Sequence, residues 1–355
     1  MSETIVFVGS YATADESGVE LFSFNEDNGE LTKVSEFKGL TNPTFLNVNE
    51  AKRLIYTCSE MKNEDGSKSG EVAVLSYDDA YQLSLIQQLK STEKTTCHIQ
   101  RDKDSNFLTV TSYHGGSIGL LKLNDKGLVE KLSDVVTHEG KKDKPEPENQ
   151  PRAHSSFYSR DEQFLLVQDL GFSQIVTYEV DKENERLIKV QSIQLPEGTG
   201  PRHLTFHPEK SFVYVINELN STVIVFDFNN ENGKLTPLQT ISTLPSDYDG
   251  SNATAEITIS KDGRFVYGSN RGHDSIVVYA VKEDGTLELI QHMSTKGGHP
   301  RHFTLMPNGE YLLVANRDGN NIVTFKVNTN TGLLSETAYE AYSTKPVCLI
   351  PIEIN

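Results

Sequence analysis

The sequence predicts an all-β fold, a seven-bladed β-propeller of four-stranded antiparallel blades. A repeat is first visible in two stretches, GPRHLTFHPEKSFVYVINEL (200–219) and GHPRHFTLMPNGEYLLVANRD (298–318). Seven strand-like segments share one phase and end at intervals of 46–57 residues: TIVFVGSY (4–11), RLIYTCSE (53–60), NFLTVTSY (106–113), QFLLVQDL (163–170), SFVYVINE (211–218), RFVYGSNR (264–271) and EYLLVANR (310–317). Seven units in 355 residues are blade-sized.

Each unit continues with the same pattern of strands and turns. In the fifth, VIVFDFN (223–229) alternates, ENGKL makes a turn, and TPLQTIS (236–242) alternates again. Period-two alternation of Val, Ile, Phe and Tyr indicates strands, and the Asn-Gly, Asp-Gly and Thr-Gly steps indicate hairpin turns. A β-solenoid or two sandwiches are the alternatives, but solenoid repeats are usually shorter and sandwiches would not keep one period.

The two chain ends predict how the ring closes. The first segment has the phase of a second strand, whereas KPVCLIPIEI (345–354) has the phase of a first strand. The last strand is therefore expected to complete the first blade and to cover edges that an open stack would expose. Residues 1–355 are expected to form a single propeller domain.

Composition narrows the function. The formal net charge of -17 makes nucleic acid and anionic membrane surfaces poor partners. Three widely spaced cysteines match no zinc motif and favour a reducing compartment. With no recognisable signal peptide or membrane-length apolar run, we expect a cytoplasmic protein.

The repeat also predicts which side chains converge near the channel axis, because the first strand of each blade lines the channel. At the phase of Arg202 the units carry Val347, Thr44, Cys97, His154, Arg202, Ala255 and Arg301. One residue later they carry Cys348, Phe45, His98, Ser155, His203, Glu256 and His302. After the second strand they carry Tyr11, Glu60, Tyr113, Leu170, Glu218, Arg271 and Arg317.

The converging arginines have two interpretations. They could bind an anion, because guanidinium offers a rigid fork to carboxylate or phosphate. Alternatively, Glu60, Glu218 and Glu256 could neutralise them in a plug of ion pairs. His98 and His302 could simply be packed channel residues. The polar segment 137–150 precedes His154 and is either a lid over the channel mouth or a solvated loop.

Several motifs together resemble the seven-bladed lactonase family, which includes propeller-type 6-phosphogluconolactonases and fungal carboxy-muconate lactonizing enzymes. They are PRAHSS (151–156), GPRHLTFHP (200–208), VINEL (215–219), SNRGHDSI (269–276) and GHPRHFTLMPNG (298–309), so that the resemblance spans nearly the whole chain. It implies a channel-mouth site made by His154, Arg202, Glu218 and Arg271. One departure is Arg152, which stands where the family's Pro-His-x-His stretch has its first histidine.

The resemblance implies hydrolysis of 6-phosphoglucono-δ-lactone in the pentose phosphate pathway, without a metal or other cofactor. Arg202 and Arg271 would hold the anionic group or the oxyanion of this small anionic sugar lactone, with His203, Arg301 and Arg317 as further substrate-binding candidates. We expect His154, which starts near neutrality, to be the general base. Neighbouring cations should lower the pKa of Glu218, which would support it. A cycloisomerase acting on an unsaturated dicarboxylate and a non-catalytic binding platform are the alternatives.

Overall fold

A computed structural model describes residues 3–139 and 150–354. Its first fourteen strands are β1 (Glu3–Ser10), β2 (Val19–Phe24), β3 (Leu31–Phe37), β4 (Leu46–Asn49), β5 (Leu54–Lys62), β6 (Lys68–Tyr77), β7 (Leu83–Thr92), β8 (His98–Arg101), β9 (Phe107–Ser112), β10 (Ser117–Leu123), β11 (Val129–Thr137), β12 (Ala153–Tyr158), β13 (Phe164–Asp169) and β14 (Gln174–Asp181). The other fourteen are β15 (Arg186–Gln194), β16 (Pro201–Phe206), β17 (Phe212–Asn217), β18 (Thr222–Asn229), β19 (Lys234–Ser242), β20 (Ala253–Ile259), β21 (Phe265–Arg271), β22 (Ser275–Val281), β23 (Leu287–Ser294), β24 (Pro300–Leu305), β25 (Tyr311–Asn316), β26 (Asn321–Val327), β27 (Leu334–Tyr342) and β28 (Pro346–Ile354).

These strands form seven four-stranded antiparallel sheets, which confirms the predicted propeller. Blade 1 has the order β28-β1-β2-β3, and blades 2 to 7 each use four consecutive strands, from β4–β7 to β24–β27. The single helical element in the described part of the chain is a 3₁₀ turn at Glu50–Lys52. No helix among those residues is long and apolar enough to cross a membrane.

The last strand closes the ring as the phase of the repeat predicts. β28 pairs antiparallel with β1, with Cys348 opposite Gly9 and Ile354 opposite Glu3. Val347, Cys348 and Leu349 are buried. Residues from the two ends of the sequence therefore share one sheet and one core.

The hydrophobic core is divided among the gaps between neighbouring blades. In β1, Ile5 and Phe7 pack toward blade 2, whereas Val6 and Val8 pack toward blade 7. This follows from the period-two geometry of a strand, which points successive side chains to opposite faces. Because both faces of each sheet are covered, an inner strand such as β13 is buried along its whole length, while an outer strand such as β15 alternates between more and less exposed residues.

Glycines at the outer hairpin turns have the backbone conformation that the sequence predicts. Gly233 and Gly285 adopt φ values of 68° and 82°, which other residues adopt only at a cost. A Cβ on Gly285 would also lie 2.5 Å from the Phe212 ring of the preceding blade. The turns therefore set both the hairpins and the spacing between blades.

Candidate functional site

β-Bulges lie at the start of the first strand in several blades, and candidate site residues occupy the bulged positions. In blade 4 the pairing passes from Ala153 to Ser155 and leaves His154 without an opposing residue. The same shift leaves Arg202 unpaired in blade 5 and Arg301 unpaired in blade 7. A bulge re-aims a side chain and is common beside active sites. These three residues occupy equivalent positions of the repeat, and at each of them the regular strand pairing is interrupted.

The central cavity, of about 330 Å³, lies where these first strands begin. It is lined by Tyr11, Thr44, Glu60, Thr95, Thr96, Cys97, Tyr113, His114, His154, Glu218 and Arg301. Hydroxyls, two imidazoles, two carboxylates and a guanidinium therefore surround one space of small-molecule size.

Two groups in this lining have polar atoms without partners. The Arg301 guanidinium lies 5.5 Å from the Tyr11 ring and makes no hydrogen bond or ion pair with any residue that the structure describes. His154 is only 4% exposed, and its Nδ1 is buried without a hydrogen-bond partner. Buried polar groups are normally satisfied, so the free Nδ1 of His154, beside the half-buried cation of Arg301, indicates a place where a ligand or water completes the bonding.

Arg202 and Arg271 are engaged elsewhere, although both lie near the axis as predicted. Arg202 Nε and Arg271 Nη2 donate to the same oxygen of Glu218, at 3.0 and 2.8 Å. Backbone carbonyls accept their remaining bonds: Arg202 donates to Ala255 at 2.6 Å, and Arg271 donates to Ala253 and Thr254 at 3.1 and 2.6 Å. Neither arginine lines the central cavity.

The ion pairs lower the pKa of Glu218 as the sequence predicts. Burial alone would raise it, but the charges of Arg271, Arg202 and Arg301 outweigh that effect and hold the carboxyl below its usual range. Burial, together with the neighbouring cations, lowers the pKa of Arg202 to about 9. Both groups remain charged near neutral pH, and the other oxygen of Glu218, Oε1, has no hydrogen-bond partner among the described residues.

His154 differs from the expectation that it titrates near neutrality. Burial, followed by the positive charges of Arg202 and the other nearby groups, lowers its pKa well below 6.5. The imidazole is therefore neutral near physiological pH and can accept a proton, although as a weaker base than a solvated histidine. The repeat placed this residue near the axis but could not show how deeply it is buried.

A compact layer beneath the cavity contains three of the channel histidines and contributes little open space. Phe45 packs against His98, His203 and His302 with ring centroids 4.5, 5.9 and 5.8 Å apart. Glu256 accepts from His203 Nδ1 at 3.0 Å and lies 3.3 Å from His302 Nε2. About 10 Å³ remains in this region. His203, a predicted substrate-binding residue, is thus held in the layer below the cavity.

Arg317 is also separate from the central cavity. Its guanidinium donates to both carboxylate oxygens of Asp318, at 2.7 and 3.1 Å, and lies 3.3 Å from His299 Nδ1. It lines an adjacent, more open cavity of about 410 Å³ that shares Tyr11 with the central one. Of the predicted site residues, the central cavity therefore brings together His154, Glu218 and Arg301.

Sequence reasoning did not single out several residues that line this cavity. Tyr113 and Cys97 appear in the phase of the repeat but carry no recognisable motif. Thr95, Thr96 and His114 lie just outside the repeated positions. The only sequence signal for these residues was that they lie beside the repeated positions near the axis. A repeat identifies equivalent positions, but it does not show which way the side chains around them point.

Two other features lie away from this site. Asp102, Asp104 and Glu162 form a carboxylate cluster in which metal ligation is geometrically possible, but Lys182 Nζ lies 3.2, 3.8 and 3.3 Å from them.

Residues 140–149 of the predicted lid or loop lie outside the described residues. Its described flank includes His138, whose ring nitrogens contact Asp169 at 2.6 Å and Tyr178 at 3.0 Å.

A larger groove, of about 440 Å³, lies between blades 6 and 7. Its lining is mainly apolar and includes Ile259, Phe265, Leu305 and Met306. The charged residues in its lining, Lys261 and Asp262, are exposed, and Asp262 is paired with Arg264. Chemistry rather than volume therefore identifies the central cavity as the candidate active site.

We expect Glu218→Gln to destabilise the protein by about 3 kcal/mol at neutral pH, because it leaves Arg202 and Arg271 without their shared counter-charge. The lowered pKa of Glu218 stabilises the native state above the carboxyl's unfolded pKa, and this contribution is lost as pH falls through the folded pKa. Urea unfolding of wild type and variant between pH 7 and pH 3 would test this. An unchanged difference across that range would contradict it.

Comparison with known proteins agrees with this architecture. Residues 5–351 match the family model described as "Lactonase, 7-bladed beta-propeller". A protein of Formosa agariphila named 6-phosphogluconolactonase is 33% identical over 344 residues, covering 94% of this chain and 96% of its own. One of the same name from Bacillus subtilis is 28% identical over 351 residues, covering 98% of each chain.

A solved structure gives the same result in three dimensions. The periplasmic gluconolactonase of Pseudomonas aeruginosa superposes with a TM-score of 0.91 at 26% identity, covering 99% of this chain and all of the other. The family match extends over nearly every strand of the ring, including the bulges that carry His154 and Arg301. The chain therefore belongs to the seven-bladed β-propeller lactonase family, a family of lactone hydrolases.

Proposed function

We propose that this lactonase hydrolyses 6-phosphoglucono-δ-lactone to 6-phosphogluconate. The observation that carries the proposal is that one cavity holds Arg301, a cation with no direct hydrogen bond or ion pair among the described residues, and a neutral His154 whose Nδ1 has no partner. The names of the relatives from Formosa agariphila and Bacillus subtilis support the phosphorylated substrate.

In the proposed reaction, water attacks the lactone carbonyl carbon while His154 accepts a proton from it. The carbonyl oxygen becomes an oxyanion, which Arg301 stabilises by charge and hydrogen bonding. Collapse of this tetrahedral intermediate breaks the bond between the carbonyl carbon and the ring oxygen. The protonated His154 returns its proton to that ring oxygen, so that the open-chain acid leaves and the imidazole is again neutral.

The proposal gives Arg202 and Arg271 a different part from the direct anion contact suggested by the resemblance. Both guanidinium groups hold Glu218 and are saturated by it and by backbone carbonyls. They would fix the carboxylate in the cavity wall and keep the local potential positive. Glu218 would then orient the attacking water through Oε1, while its lowered pKa makes it a weak proton acceptor.

We expect Arg301→Gln to reduce kcat/KM for the phosphorylated lactone about 10- to 100-fold, the effect of losing one charged hydrogen bond. Arg317→Gln is the matched control, because Arg317 also stands at the channel mouth but is paired with Asp318. It should change kcat/KM less than threefold. Equal losses in the two variants would show that overall positive charge, rather than contact by Arg301, controls activity.

The function itself is tested with purified wild-type protein on freshly generated 6-phosphoglucono-δ-lactone, with spontaneous hydrolysis subtracted. Glucono-δ-lactone, which lacks the phosphate, and an unsaturated dicarboxylate are assayed in parallel. We expect the phosphorylated lactone to be hydrolysed with the highest kcat/KM. Preferred cyclisation of the dicarboxylate would instead identify a cycloisomerase, and the absence of any turnover would favour a binding platform.

A further inference from the structure

Arg152 and Tyr113 form a hydrogen-bonded pair that joins blades 3 and 4 at the wall of the central cavity. Arg152 Nη1 donates to Tyr113 Oη at 2.9 Å, and the guanidinium carbon lies 5.3 Å from the centre of the tyrosine ring. Tyr113 lines the cavity, and its ring meets that of His154 edge-to-face at 5.8 Å. The pair therefore reaches the proposed base without belonging to the cluster of Glu218 and its arginines.

Tyr113 occupies the position in blade 3 that Glu218 occupies in blade 5. Tyr113 directly follows the second strand of blade 3, as Glu218 directly follows the second strand of blade 5. Each side chain accepts hydrogen bonds from arginine, and each lines the central cavity. The two positions are thus equivalent, but blade 3 presents a hydroxyl where blade 5 presents a carboxylate.

The direction of the hydrogen bond determines what the hydroxyl can do. Arginine has only donors, so the tyrosine oxygen must accept from it. The tyrosine proton is then available, since Tyr113 donates to none of the residues in the described ranges. A donor whose oxygen also accepts from a cation is polarised and becomes a stronger donor.

The backbone of Arg152 is held firmly enough to support this geometry. Its N–H donates to Asp169 Oδ1 at 2.9 Å, and its carbonyl accepts from Leu170 N at 3.0 Å. A Cβ added at Gly171 would lie 2.9 Å from both Arg152 N and Arg152 Cγ, so the neighbouring chain leaves little room for the arginine to move.

We propose that Tyr113 is a substrate-contacting residue that donates its hydroxyl proton to an acceptor oxygen of the sugar lactone, and that Arg152 is a positioning residue acting through it. This inference rests on the proposed function. It adds a neutral donor on the blade 3 side of the cavity, opposite in chemical character to the blade 5 carboxylate. It also gives Arg152, the departure from the family's usual histidine, a role in recognising the substrate.

A double-mutant cycle tests the inference, using the full-length variants Tyr113→Phe, Arg152→Gln and both together. We expect Tyr113→Phe to lower kcat/KM about tenfold. Arg152→Gln should also lower kcat/KM when Tyr113 is present. In the Tyr113→Phe background the same substitution should change kcat/KM by less than twofold, because the hydroxyl through which Arg152 acts is already missing. Arg152→Lys, which keeps a charged donor, should recover part of the loss. Urea unfolding of every variant separates these effects from altered folding.

Two kinetic results would overturn the inference. Wild-type kcat/KM in Tyr113→Phe would show that the hydroxyl does not contact the lactone. An equal loss on Arg152→Gln with and without the tyrosine hydroxyl would show that Arg152 does not act through it.

Calorimetric titration with 6-phosphogluconate distinguishes this inference from the proposed function. If wild type turns over no lactone, the proposed function fails. The titration still measures whether Tyr113 and Arg152 contribute to binding of 6-phosphogluconate. Weaker binding to Tyr113→Phe and Arg152→Gln, with no additional loss in the double variant, supports the inference. Equal binding by all the proteins, or binding by none, overturns it.

Discussion

His154→Asn is expected to lower the turnover of bound lactone about a hundredfold or more, because it removes the proposed general base. Asparagine is close to histidine in size and polarity but cannot accept a proton from water near neutral pH. The backbone carbonyl of His154, which accepts from the Cys97 thiol at 3.1 Å, is unchanged by the substitution. The variant should therefore fold normally, as measured by its urea unfolding midpoint. Its kcat should fall while its KM stays close to the wild-type value.

The pH profile gives this prediction a second measurement. Burial and nearby cations hold the pKa of His154 well below 6.5, so the neutral form persists at mildly acidic pH. Wild-type kcat should therefore remain near its plateau as pH falls through 6.5 and decline only at lower pH, with correction for spontaneous hydrolysis. His154→Asn should abolish that acidic limb.

Glu218→Gln is the comparison that separates the two candidate bases. Its turnover should fall less than that of His154→Asn, because the pKa of Glu218 is lowered and one of its oxygens already accepts from two arginines. A dead Glu218→Gln variant beside an active His154→Asn variant, both folded, would reverse the assigned roles.

Deleting residues 345–355 is expected to unfold or aggregate the protein. The deletion removes β28, the first strand of blade 1, and exposes the edge of β1. Val347 and Leu349 are 3% and 0% exposed, and burial of two such side chains contributes about 3–6 kcal/mol. That is a large part of the roughly 5–15 kcal/mol that stabilises a typical domain. Thermal unfolding and size-exclusion chromatography would measure the effect.

A synthetic peptide of residues 345–355 provides the matched control. Added in trans, it should pair with β1 and restore part of the unfolding midpoint of the truncated chain. The same peptide with Val347→Asp and Leu349→Asp should not restore it. A truncated protein that melts like wild type without any peptide would contradict ring closure by β28.

The sequence was sufficient to predict the propeller because its signals are local and repeated. Alternating apolar residues determine strands, glycines such as Gly233 mark the turns, and one phase recurs seven times. The same phase predicted closure by the C-terminal strand, which the pairing of Cys348 with Gly9 confirms. None of these inferences depends on the orientation of an individual side chain.

The site could be predicted only to the level of which residues approach the axis. Arg202 and Arg301 occupy equivalent bulges, yet one is bound by Glu218 and a carbonyl while the other faces the cavity. That difference depends on Glu218, which follows the second strand of blade 5, and on the carbonyls of blade 6. Similarly, the burial that lowers the pKa of His154 results from contacts between blades, which a periodic pattern does not contain.

Closure by β28 has a consequence for the order in which the molecule can be assembled during translation. β1 to β3 leave the ribosome before the other strands of the ring, but the strand that completes their sheet comes more than 300 residues later. At about 5–20 residues per second, that interval lasts roughly 15–60 s. Throughout it, the inner edge of β1 lacks its native partner and is open to incorrect pairing. The ring therefore cannot close before β28 has been synthesised, and the exposed edge of β1 is open to aggregation until then.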